Sequence, residues 1–135
     1  MSDEKIYILP CSGIGKVYGL LSREAAHQVV LDLEPQHTDT ICLASLLLEE
    51  VKEQVAGKSV LCIDGCPKCC AEKSSLEAGM IVEKKYLTSH FVRKYRGEDP
   101  GTGSELTETG KKVAGDIAKT IQFDVQEILQ ERREK

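Results

Sequence analysis

The chain has no excess of positive charge: 18 Lys and Arg stand against 22 Asp and Glu, for a net charge of −4. Its cations are scattered, with no basic block beyond a mixed C-terminal tail. Binding to a nucleic-acid backbone needs a basic face, so that role is argued against. No apolar run approaches the roughly 20 residues of a membrane-spanning helix, so no membrane partner is expected. Met1-Ser2-Asp3-Glu4-Lys5 sets acids ahead of a short apolar run, which is not the pattern of a signal peptide. A cytoplasmic protein is expected. Neither an internal repeat nor a linker-like stretch divides the 135 residues, which predicts one domain over 1–135 with room for a real core.

Glycine spacing of the nucleotide-binding kind is missing too. Ser12-Gly13-Ile14-Gly15-Lys16 resembles part of a phosphate-binding loop. However, Val17 stands where that loop needs a hydroxyl, and the upstream glycine is absent. The dinucleotide spacing also fails, because Gly19 falls at the wrong place. What remains is a smaller role for Ser12, Gly13 and Gly15, as a cradle for a small anion or as N–H groups aimed at thiolates.

Cysteine, by contrast, is plentiful: there are six. In a reducing compartment clustered thiols point to metal ligands or redox groups rather than structural disulfides. Their placement follows the predicted elements. Lys5 to Leu9 is a β-type run that leads into Cys11 and a glycine-rich turn. Val17, Leu21, Ala25, Val29 and Leu33 repeat every four residues, widened by Leu20, Ala26 and Val30, which predicts a helix over 17–33 ended by Pro35. Thr40 to Leu43 reads as a short strand containing Cys42, followed by a helix over 44–56 stopped by Gly57. Ser59 to Asp64 is too uniformly apolar to have a wet face, so it reads as a central parallel strand.

Beyond it, Pro67 suits the first turn of a helix that continues to about Ala78 and ends at Gly79. Met80-Ile81-Val82 and Tyr86-Leu87-Thr88 straddle a further strand, and Gly97 to Ser104 is a loop. Val113, Ala114, Ile117, Ala118, Ile121, Val125, Ile128 and Leu129 form the apolar stripe of a last helix over 108–131. Strands alternating with helices predict an α/β fold: a small three-layer open sheet, mostly parallel, flavodoxin-like or Rossmann-like.

In such a sheet, sites form beyond the carboxyl ends of the strands. Cys11, Cys42 and Cys66 all fall at such ends, and helix N-termini there favour thiolates. A fourth thiol comes from Cys69 or Cys70, since i+3 and i+4 both share a face with Cys66. Together they predict a tetrahedral four-cysteine site that takes zinc, or an iron–sulfur cluster. Cys62, flanked by Leu61 and Ile63, reads as a packed core residue. Asp64 reads as the cap of the helix after it, or as an orienting partner for Cys66. His27, His37 and His90 lack metal-type spacing and read as surface or packed residues, although Tyr86 and His90 would flank the end of the late strand.

The segments Pro10-Cys11-Ser12-Gly13-Ile14-Gly15, Arg23 with Ala25-Ala26, Cys42-Leu43, and Ile63-Asp64-Gly65-Cys66-Pro67 through Cys70-Ala71 resemble the DGC domain family. That family is named for its Asp-Gly-Cys motif, and it is thought to hold zinc with four cysteines. The resemblance implies Cys11, Cys42, Cys66 and Cys70 as ligands. It favours Cys70 over the extra Cys69 because the family's second motif cysteine precedes an alanine. It names a metal ion as the partner without naming a reaction, a substrate or a protein partner. The competing readings are thiol-based redox, sulfur-transfer or carrier chemistry at a free cysteine, an iron–sulfur protein, and a metal-delivery partner.

Overall fold

Four apolar segments pair side by side into one parallel sheet in the order β2-β1-β3-β4: β1 (Ile6–Pro10), β2 (Thr38–Thr40), β3 (Ser59–Asp64) and β4 (Ile81–Leu87). The computed structural model describes residues 5–10, 17–41, 46, 48–64, 70–95, 97–102 and 105–134, with Cys70 described in its backbone alone. The connections alternate with α1 (Val17–Gln28), α2 (Glu49–Val55), α3 (Cys70–Glu77), α4 (Thr88–Val92) and α5 (Glu108–Glu134). This strand order is the flavodoxin-type order and not the Rossmann one, in which the second strand would separate the first from the third.

The sheet is covered on both faces, as near-continuous apolar strands require. Ile6, Ile8, Leu61, Ile63 and Tyr86 point to one face and pack with Leu21, Ala25, Ala26 and Val29 of the α1 segment and with the stripe Val113 to Ile128 of α5. Leu9, Val60 and Cys62 point to the other face, where Leu46, Val55, Ala71, Ala78 and Met80 meet them. Alternation along β1 and β3 thus divides one strand's side chains between two cores.

The structure departs from the sequence expectations in five places. The second strand, expected over Thr40 to Leu43, is Thr38–Thr40, set by its pairing with Ile6–Ile8 of β1, so Cys42 lies beyond the strand rather than in it. The first helix is α-helical only to Gln28, and Val29–Leu33 forms a wider π-helical turn closed by Glu34 N–H to the Val29 carbonyl at 2.8 Å. The second helix begins at Glu49 rather than near Ala44, because Leu48 is extended; residues 42–45 and 47 lie outside the described residues. Acids at Glu49 and Glu50 suit the positive end of the helix that follows. Gly57, with φ +78°, ends it as expected. Further on, the late strand runs unbroken through Glu83-Lys84-Lys85, which the edge position explains, since an edge strand keeps exposed charges. Its register shifts by one residue between Val60 and Leu61, and Glu83 at the bulge accepts the Ser59 hydroxyl at 2.7 Å. Finally, α4 was not anticipated, because Thr88 reads as a continuation of the strand.

The last helix matches its predicted stripe, with Leu129 only partly buried. Thr107 caps it: its Oγ1 accepts Gly110 N–H at 3.2 Å while donating to the Asp99 carbonyl.

Candidate functional site

All four strands are parallel, so the chain leaves β1, β2 and β3 at the same rim of the sheet. The step from β1 to β2 goes to one side of β1, and the step from β2 to β3 crosses to the other. The switch point therefore lies between β1 and β3, where ligand crevices form in sheets of this type. The register sets those two strand ends level, with Pro10 opposite Ile63, and Asp64 opposite Leu87 of β4.

Of the expected site residues, Cys11, Ser12, Gly13, Gly15, Cys42, Cys66 and Cys69 lie outside the described residues. Cys70 is the first residue of α3. Asp64 is described fully, and its side chain is 1% exposed. One carboxylate oxygen accepts Ala71 N–H at 2.8 Å, and the other lies 3.4 Å from Glu72 N. Asp64 therefore caps α3 from the end of β3 and joins the two flanks of residues 65–69. Burial pushes its carboxyl above the usual aspartate range. The two N–H groups and Lys85 pull in the opposite direction, and Glu72 adds to the rise.

A second buried polar set meets the first. Thr88, at the junction of β4 and α4, places Oγ1 3.3 Å from the Asp64 carbonyl oxygen and 3.1 Å from Ser22 Oγ of α1. Ser22 Oγ in turn lies 2.9 Å from the Tyr18 carbonyl in the first turn of α1. Both hydroxyl residues are fully buried. Sequence reasoning passed over them, although Ser22 is a hydroxyl on the apolar face of α1, between Leu21 and Ala25.

Cys62 behaves as a core residue. It is fully buried among the apolar side chains of the second face, and its Sγ lies 3.4 Å from Ser75 Oγ. Tyr86 does not serve the crevice: it packs in the first core and donates from Oη to Asp124 Oδ2 of α5 at 2.5 Å. His27 and His90 are exposed and His37 is half-buried. Among the described residues, no three His, Cys, Asp or Glu side chains cluster as a metal site, and no helix is long and apolar enough to cross a membrane.

Comparison with curated proteins and with solved structures yielded no match. The DGC domain family does match, over residues 7–113, a span that runs from the second residue of β1 into α5. It includes every segment that borders the rim, and the chain belongs to the DGC domain family.

Proposed function

We propose that the protein binds a metal ion, zinc, through Cys11, Cys42, Cys66 and Cys70 at the carboxyl rim of the sheet, in the reducing cytoplasm. The strand order carries this reading. Cys42 stands two residues beyond β2, Cys11 one beyond β1 and Cys66 two beyond β3, and these three strands are consecutive neighbours. Cys70 opens α3, whose next two N–H groups are held on Asp64 at the end of β3.

Neighbouring strands lie about 4.8 Å apart, and one residue step spans about 3.8 Å. Thiols carried so close to adjacent strand ends have the reach to meet at one ion. The donor chemistry fits as well, since four thiolates form a soft set that suits zinc. Such a set leaves two excess negative charges, which the positive ends of the helices leaving the rim would offset. Bound this way, zinc would be a structural ion with its shell closed and no open catalytic position.

Elemental analysis of the purified chain tests the reading. A colourless protein with one zinc per chain is expected. Iron with visible absorbance would move the assignment to an iron–sulfur cluster. Cys66→Ser is expected to lose the metal and to melt earlier, because metal affinity at such sites is part of the folding free energy. Unchanged metal content and melting in that variant would reject the proposal. Rapid alkylation of a ligand thiol in the metal-loaded protein would favour the thiol-transfer alternative.

A further inference from the structure

We infer that Ser22, Thr88 and Asp64 form a buried brace that sets the spacing between the two chain segments carrying Cys11 and Cys66–Cys70, and so positions the ligands of the metal site. The inference rests on the metal reading above. The brace starts at the Tyr18 carbonyl, two residues after the 11–16 segment ends. It passes through Ser22 Oγ and Thr88 Oγ1 to the Asp64 carbonyl, then through the Asp64 carboxylate to the N–H groups of Ala71 and Glu72. Its far end therefore lies directly after the 65–69 segment.

Two hydroxyl protons serve three contacts and both outer partners are carbonyl acceptors, so each hydroxyl is bonded while two of the three contacts carry a proton at a time. Packing alone would be met by alanine and valine at the two hydroxyl positions. Buried hydroxyls are unfavourable unless they are bonded, and what bonded ones add is direction. Here that direction ties α1, β3, the β4–α4 junction and α3 together at the rim the cysteines border. Ser22, Thr88 and Asp64 touch no ion in this scheme. They act through the backbone that carries the thiols, which makes them positioning residues.

The test compares Thr88→Val, Thr88→Ser, Ser22→Ala and Asp64→Asn with the parent chain. Zinc affinity is read by chelator competition, and cobalt(II) is substituted so that its thiolate charge-transfer and d–d bands report ligand geometry. Circular dichroism and melting confirm the fold of each variant. Outer partners of metal ligands typically contribute 10–100-fold in affinity. Thr88→Val and Ser22→Ala are expected to weaken zinc about tenfold, and Asp64→Asn by up to about 100-fold, each with altered cobalt bands. Thr88→Ser, which keeps the hydroxyl, should restore both readouts; a merely space-filling threonine would not give that pattern. Folded variants with parental affinity and spectrum would overturn the inference while leaving the metal reading intact. A parent chain whose cobalt spectrum is that of the aqueous ion would instead overturn the metal reading and this one with it. Should Asp64→Asn fail to fold, the Thr88 pair is decisive alone.

Discussion

Two glycines on α5 make opposite predictions for the same substitution. A Cβ at Gly110 would lie well inside contact distance of the Pro100 carbonyl oxygen, and 3.1 Å from both Cβ and Cδ2 of Leu106. At Gly115 the nearest atom is Gln28 Oε1, at 3.9 Å. Alanine in a helix interior is worth about 1 kcal/mol over glycine, so Gly115→Ala should stabilise by up to that amount. Gly110→Ala brings the same gain but must push the 99–107 loop away. That loop is held by Thr107 N–H to the Pro100 carbonyl at 3.1 Å, Thr102 N–H to the Glu105 carbonyl at 2.8 Å, and the Thr107 cap on Gly110 N–H. Disturbing two or three such bonds costs about 3 kcal/mol, leaving a net loss of about 2 kcal/mol. For a chain of this size 1 kcal/mol moves Tm by about 3–4 °C. The two variants should then melt about 10 °C apart, with the parent protein in between. Thermal and urea unfolding under identical conditions provide the measurement. If Gly110→Ala melted with Gly115→Ala above the parent, the loop would not be packed on the helix and the reasoning would fail.

Further outcomes follow from other buried groups. Cys62→Ala should keep the parental metal content and lose about 1 kcal/mol, the cost of a small apolar void, measured by elemental analysis alongside chemical unfolding; loss of metal would contradict its place in the second core. Burial, and then the bond to Asp124, push the Tyr86 phenol far above the usual tyrosine range. The folded state therefore holds this proton more tightly than the unfolded chain, so the stabilisation is complete below about pH 10 and is lost as pH rises beyond it. Tyrosinate absorbance should show a late-titrating phenol that disappears in Tyr86→Phe, and a variant that instead loses a phenol of ordinary titration would refute the buried pairing. Tyr86→Phe should also cost about 1–2 kcal/mol at neutral pH, as expected for a partly buried hydrogen bond to a charged acceptor, read from its urea midpoint.

What was legible in the chain was local. Ser59 to Asp64 reads as a doubly covered strand because its run Val60-Leu61-Cys62-Ile63 is too uniformly apolar to leave a wet face, and all six positions are buried. The stripe from Val113 to Ile128 reads as a helix because its period is that of one. Cys62 reads as core because both neighbours are apolar. The flanking features of the Asp-Gly-Cys segment, with an apolar run before it and a helix after it, were equally plain. Boundaries were less so: Leu48 continues an apolar pattern yet is extended, and Thr88 looks like strand yet starts a helix.

Only tertiary structure decided the order of the strands, and with it which cysteine-bearing segments have neighbouring ends. Strand order depends on pairing between segments tens of residues apart, to which no local period is sensitive. The same holds for the Ser22–Thr88 contact, made across 66 residues, and for the reach of Asp64 over residues 65–69 to the start of α3. Residue type settled which elements form and which groups are capable of holding a metal. Three-dimensional closure settled which strand ends stand together, because proximity between distant segments exists only once the sheet has been assembled.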